Sequence, residues 1–365
     1  MAFYISGHGF GHASRQVEII NAFARRRPDV GIVLRTSVSR WLLERTLTSA
    51  FVLDDRPVDT GVVQIDSLHL DESATVAQAR DFHATIDARA AAEADLLRAH
   101  HVRFVVADAP PLGCAAAARA RVPSAVVSNF TWDWIYAEYR EHLQGAPELI
   151  PGIQAAYRLA DEAWRLPMHG GFETFDSPVR ADAAAGQAPA IVDVPFVARH
   201  SARDPRDTRA RLGLPPDRRL VLPSFGAYGV HGIALAQETL DLDPSWCLVR
   251  SSDAEIQAAG LRYEDVVRAA DAVVTKPGYG IIAECIANGT ALVYTSRGRF
   301  AEYAVLVREM PRYLRCAYLD NAALVAGRWQ SALDAAVSAP PPPERPRTDG
   351  AEVIADMIAA RFPSA

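Results

Sequence analysis

The chain has 365 residues, half of them hydrophobic and 22% charged. That composition suits two globular domains with full cores and excludes a disordered or fibrous protein. A formal net charge of −6 offers no electrostatic footprint for nucleic acid, and no apolar run reaches membrane-spanning length.

Four cysteines, Cys114, Cys247, Cys285 and Cys316, lie far apart without a CxxC pair, so neither a disulfide framework nor a zinc site is expected. The N-terminus opens into a strand pattern rather than a basic and then apolar leader. These features predict a soluble, cytoplasmic protein. The basic stretches around Arg25–Arg27 and Arg199–Arg211 lack interleaved aromatics and are expected to be solvated helix ends and linker.

Residues 3–6 predict a short strand, 7–11 a glycine-rich turn, and 12–26 a helix with Val17, Ile20, Phe23 and Ala24 on its buried side. Strands are expected at 31–35, 103–107 and 124–128, with a long helix over 74–100. Strands alternating with helices of this length imply a parallel sheet covered on both faces. The order of elements leaves the order of strands open.

The pattern breaks near residue 170. Met168-His169-Gly170-Gly171, Ser177-Pro178 and Gly186-Gln187-Ala188-Pro189 read as irregular connection. The domain boundary is placed within 190–205, giving a first domain of 1–190 and a second of 191–345. The second domain repeats the grammar, with strands at 219–223, 246–250, 271–275 and 291–294 and helices at 280–287 and 303–310. Pro340 to Pro343 cannot be helical. They predict a stiff spacer before a last amphipathic helix, 351–362, expected to dock back on the first domain. The fold class is α/β, two Rossmann-like domains facing across a cleft.

Three glycine turns mark candidate binding positions. In the first, Gly7-His8-Gly9-Phe10-Gly11-His12 joins a strand to a helix whose free N–H groups and dipole favour an anion. It lacks the GK[ST] ending of a Walker loop and the GxGxxG spacing of a dinucleotide fold. Gly9, Phe10, Gly11 and Arg15 are candidate acceptor contacts. His12, at the helix mouth, is the preferred base, and His8 either shares that role or braces the turn. Asp108 follows a strand and is expected at the same carboxyl edge, where it would orient His12.

In the second, Lys276-Pro277-Gly278-Tyr279-Gly280-Ile281-Ile282-Ala283-Glu284, N–H groups near Gly280 and Ile281 suit a diphosphate. Lys276, Gly278 and Tyr279 stand beside them, and Glu284 suits two vicinal ribose hydroxyls. The third turn, Ser224 to Gly229 with Gly226 at its bend, mirrors the first. Arg297 and Glu302 follow another strand end and are candidate sugar contacts. Asn129, Trp132 and Trp134 belong to an aromatic block fit for stacking on a sugar or apolar acceptor. Which of the two tryptophans faces a pocket is left open.

Residues 4–15 (YISGHGFGHASR), 129–139 (NFTWDWIYAEY) and 276–284 resemble the glycosyltransferase-like N-terminal domain of plant-type L-arabinokinases. The resemblance extends to Ile191-Val-Asp-Val-Pro-Phe-Val197 and Gly327-Arg-Trp-Gln330. More distantly the chain is similar to the GT-B glycosyltransferase superfamily. That resemblance implies His12 as acceptor base with Asp108, Glu284 on the nucleotide ribose, and the turn at 278–281 facing the diphosphate.

Two departures stand out. No sugar-kinase domain follows within these residues, so sugar phosphorylation is not the expected activity. Ile281 also replaces the hydroxyl residue common before the ribose-binding acid.

The resemblance implies a glycosyltransferase that moves a sugar from a nucleoside diphosphate donor, a UDP-sugar by preference, to a small hydroxylated acceptor. Transfer would be inverting, with no metal or other cofactor required. A sugar-nucleotide epimerase or hydrolase, and a non-catalytic sensor, are the competing readings. Monomer and homodimer are equally compatible with the sequence.

Overall fold

The computed structural model describes residues 1–176, 190–226, 229–231 and 239–362. The expected irregular stretches at 177–178 and 186–189, and two residues of the third glycine turn (227 and 228), lie outside the described residues.

The first domain is built on seven parallel strands: β1 (Ala2–Tyr4), β2 (Val33–Arg35), β3 (Val52–Asp54), β6 (Val105–Ala107), β7 (Ser124–Ser128), β8 (Glu162–Arg165) and β9 (Ala190–Asp193). Their order in space is β3-β2-β1-β6-β7-β8-β9. A small antiparallel hairpin, β4 (Val63–Gln64) with β5 (Leu70–Asp71), stands apart. The second domain is a five-stranded parallel sheet of β10 (Arg219–Ser224), β11 (Trp246–Leu248), β12 (Ala272–Thr275), β13 (Ala291–Tyr294) and β14 (Cys316–Tyr318), ordered β11-β10-β12-β13-β14. β9 belongs to the first sheet, whose last strand in chain order ends at Asp193.

The two sheets reverse strand order at comparable places, where β1 has β2 and β6 as neighbours and β10 has β11 and β12. Helices leave such a point toward opposite faces of the sheet, which opens a crevice at the carboxyl ends of the strands. The register sets Tyr4 beside Ala107, so the segments that carry His12 and Asp108 emerge side by side. In the second domain Thr275 pairs with both Ser224 and Tyr294, which places Lys276 between two other strand exits.

The first helix (Phe10–Arg26) buries Val17, Ile19, Ile20 and Phe23. Its last turn carries Arg25 and Arg26, which suit the negative end of the helix dipole. These arginines are not simply solvated, as the sequence implied. Arg25 pairs with Glu352 at 2.6 Å and Arg26 with Asp356 at 2.5 Å, both on the last helix (Gly350–Ala359). That helix lies along the first one, with Phe362 against Phe23.

The long helix expected over 74–100 is two, Glu72–His83 and Ile86–Ala99, broken at Ala84-Thr85. Apolar layers cover both faces of each sheet. One of these layers runs continuously from the first helix to the Tyr279–Asn288 helix of the second domain.

Candidate active site between the two sheets

His12 and Asp108 meet as adjacent strand exits require. His12 Nδ1 donates to Asp108 Oδ2 at 2.5 Å, and both side chains are buried. With its proton on Nδ1, the imidazole carries a lone pair on Nε2. Burial alone would raise the Asp108 pKa, but the Arg15 guanidinium and His12 outweigh it and hold the carboxyl below its ordinary value. Arg15 bonds Asp108 Oδ1 directly and donates to Asn129 Oδ1 at 3.0 Å. Asn129 Nδ2 in turn donates to Glu302 Oε1 at 2.8 Å. Arg15, Asn129 and Glu302, each a candidate substrate contact by sequence, are therefore bonded in series, and all three are buried.

His8 sits differently. Its Nδ1 accepts the Val62 N–H at 3.4 Å, and its Nε2 lies 3.3 Å from the Gln64 amide. Burial, reinforced by His12, Lys276 and Arg297, holds its pKa well below the ordinary histidine value, so the ring is neutral. Both ring nitrogens face the β4 segment. The geometry thus favours His12 over His8 as the nitrogen free to take a proton.

The aromatic block divides. Trp132 and Tyr136 stack at 5.4 Å on one side of a short helix (Trp132–Tyr136). The Trp132 ring stands 5.7 Å from His8 and 6.4 Å from His12. Trp134 instead packs over Gly170 and Gly171. Phe10 is 47% exposed, an apolar ring open to solvent beside the glycine turn.

Across the interface, β12 and β13 deliver two cations. Lys276 is partly buried, and burial followed by the charge of Arg297 lowers its pKa to about 7, against the opposing pull of Glu302 and Asp66. Arg297 lies over the Phe300 ring at 4.1 Å and donates to the Pro277 carbonyl at 3.4 Å. Its pKa is also lowered, by burial first. Among the described residues neither cation has a carboxylate ion-pair partner. Next to them the first turns of the first helix and of the Tyr279–Asn288 helix are in contact. A Cβ added to Gly280 would stand 3.2 Å from Gly11 Cα, so the two glycine turns touch. Tyr279 is buried, takes the Val197 N–H at 3.4 Å and presents its ring to Arg15 at 5.4 Å. Gly278 opens the helix as its cap, Ile281 packs against the shared core, and Gly226 bends with φ 67° after β10.

Glu284 is not free. Arg199, which the sequence placed in a solvated linker, donates to its Oε1 at 2.6 Å and lies 3.6 Å from Glu264. Burial raises the Glu284 pKa and Arg199 pulls it back. A ribose at this carboxylate would have to share it with, or displace, the guanidinium.

A further buried acid, Asp59, carries no signal in the sequence. It is buried, takes the Trp132 indole N–H at 2.9 Å, and has its pKa raised to about 6, chiefly by burial, with His12 close enough to oppose the shift. It lies in an unpatterned loop 49 positions before Asp108, where no local signal marks it.

No protein-family model matches the chain. It is 28% identical over 380 aligned positions to L-arabinokinase of Arabidopsis thaliana, an alignment that covers 98% of this chain. The chain spans about a third (34%) of that relative's length. Among solved structures, the calicheamicin glycosyltransferase CalG4 superposes with a TM-score of 0.61 at 18% identity, covering 99% of this chain and 98% of that one. A UDP-bound transferase from Siraitia grosvenorii superposes with a TM-score of 0.51 at 13% identity, covering 99% and 93%. Together with the two parallel sheets and their paired switch points, these likenesses identify the architecture as the GT-B glycosyltransferase fold.

Proposed function

We propose that this protein is a glycosyltransferase that moves a sugar from a nucleoside diphosphate donor, with UDP the favoured nucleotide, to a small hydroxylated acceptor. The observation that carries the reading is the His12 imidazole locked by a buried carboxylate, 6.3 Å from a His8 ring that feels the charges of Lys276 and Arg297, two cations with no carboxylate at ion-pair distance among the described residues. Such cations attract a diphosphate, and the abutting helix N-termini add N–H groups and dipole to the same place. The UDP held by the Siraitia grosvenorii relative supports the choice of nucleotide.

In this reading His12 Nε2 takes the acceptor hydroxyl proton as that oxygen attacks the anomeric carbon. The bond from the anomeric carbon to the diphosphate oxygen breaks, and Lys276, Arg297 and the N–H groups of Gly280 and Ile281 receive the departing charge. Attack opposite the leaving group inverts the anomeric centre. Asp108 stabilises the imidazolium that forms. Two positive side chains and backbone donors supply the neutralisation that a metal ion provides in other transferases. The proposed domain division follows the two sheets, with the acceptor on the first domain and the donor on the second.

The test is calorimetric binding of UDP-, GDP- and dTDP-sugars, followed by incubation of the bound donor with and without candidate acceptors. We expect a UDP-sugar to bind and its sugar to be transferred, and His12→Ala to retain binding while transfer falls by on the order of 10²–10⁴. Free UDP from donor alone would instead indicate a hydrolase, and an altered sugar an epimerase. Tight binding without turnover would indicate a sensor. Undiminished transfer in His12→Ala would remove His12 from the base role.

A further inference from the structure

We propose that Glu302, on the second domain, is a positioning residue for His12: acting through Asn129 and Arg15 it fixes Asp108, so the aligned His12–Asp108 pair forms only while the two domains are in contact. Each link is a direct bond. Glu302 Oε1 accepts from Asn129 Nδ2 at 2.8 Å, Asn129 Oδ1 accepts from Arg15 Nη1 at 3.0 Å, and Arg15 Nη2 bonds Asp108, which holds His12 at 2.5 Å. The series crosses from the Ala301–Tyr313 helix to the first domain without a solvent-exposed member.

The groups have few alternatives. Both functional atoms of the Asn129 amide are spent within the series. Arg15 Nε is buried without a partner, so the guanidinium depends on its terminal nitrogens and on the Tyr279 ring at 5.4 Å. Tyr279 also belongs to the second domain. Arg15 is thus held from that side by two contacts, an aromatic face and the Asn129–Glu302 bond. When the domains part, both are lost together, and the guanidinium can turn away from Asp108. Glu302 also lies within electrostatic reach of Lys276 and Arg297, the cations assigned to the diphosphate. One residue thereby joins donor charge to base alignment, which would confine the reactive arrangement to the closed, donor-filled state.

The kinetic readout rests on the proposed transfer reaction, whereas the spectroscopic one does not. In the full chain, the imidazole N–H proton bonded to Asp108 gives a downfield proton NMR resonance, assigned by its loss in His12→Gln. Glu302→Ala should broaden or abolish this resonance. Glu302→Gln retains an oxygen that accepts from Asn129 and should restore it. In turnover, Glu302→Ala should lower kcat by on the order of tenfold, with most of that recovered in Glu302→Gln. The donor KM should move in the same direction in both variants, because both remove the negative charge beside the cations.

A resonance unchanged in Glu302→Ala would overturn the proposal whether or not a donor is ever turned over. A kcat in Glu302→Gln as low as in Glu302→Ala would also overturn it, because the carboxylate would then act on substrate directly. Should Glu302→Ala fail to fold, Glu302→Met, which keeps the volume but accepts no hydrogen bond from Asn129, takes its place in both comparisons.

Discussion

Lys276 provides the sharpest quantitative handle on the proposed diphosphate site. Its ammonium has a pKa near 7 in the unliganded protein, against an ordinary value of 10.5, because burial and Arg297 disfavour its charge. A diphosphate beside it reverses that balance and restores the charged form. At about pH 8 roughly a tenth of the free protein carries the proton, so binding should take up about 0.9 proton. At about pH 6 the lysine is already charged, and uptake should fall to about 0.1. Affinity should weaken close to tenfold per pH unit above 7, or about 1.4 kcal/mol per unit.

An intact UDP-sugar is the right probe, since its diphosphate diester does not titrate over this range. Isothermal titration in buffers of different ionisation enthalpy measures the uptake directly. Lys276→Met should abolish both the uptake and the pH dependence while leaving residual binding through Arg297. Negligible uptake near pH 8, or the same uptake in Lys276→Met, would refute the placement of the diphosphate beside this lysine.

Two stability predictions follow from the same part of the molecule. Asp59 has a folded pKa of about 6 against 3.8 when unperturbed, so its ionised form is penalised in the native state. Its share of stability is intact below about pH 4 and is lost as pH rises through 6. Asp59→Asn, whose amide oxygen can still take the Trp132 indole N–H, should therefore gain on the order of 2–3 kcal/mol at about pH 8 and nothing at about pH 4; equal urea midpoints for the two proteins at both pH values would discard the burial argument. Gly61 has φ +60°, and an added Cβ would lie 2.7 Å from the His8 ring. Gly61→Ala should cost about 1–3 kcal/mol in chemical denaturation and displace His8, and a wild-type midpoint would show that the loop yields without strain.

Much of this architecture can be read from local pattern. The apolar runs that become β1, β6, β7, β12 and β13 are buried on both faces, so their signal is strong. Strands β3, β9 and β14 occupy sheet edges, and Val52, Val192 and Tyr318 on them are at least a third exposed. Such mixed surroundings leave little hydrophobic signature, and β8, with the sequence Glu-Ala-Trp-Arg, is equally polar at its ends. The helix break at Ala84-Thr85 has no glycine or proline to announce it.

At the site, His12 and Asp108 were legible because each follows a strand exit, and adjacent exits converge in an open α/β sheet. The Arg15–Asn129 and Asn129–Glu302 bonds span 114 and 173 positions, and no local rule links residues so far apart. Single-residue chemistry marked Arg15, Asn129 and Glu302 as polar groups near a cleft, but only the folded packing shows that they bind one another. Arg199 misled for a related reason. Its neighbours in sequence, Ala198 and His200, announce no acid beside it, while its partner Glu284 lies 85 positions away.

A crystal structure of the complex with UDP would locate the diphosphate outright. The diphosphate should lie within hydrogen-bonding distance of Lys276, Arg297 and the N–H groups of Gly280 and Ile281, with His12 Nε2 facing the place where the sugar would be attached. A nucleotide seated elsewhere, with Lys276 and Arg297 still lacking an anionic partner, would contradict this placement.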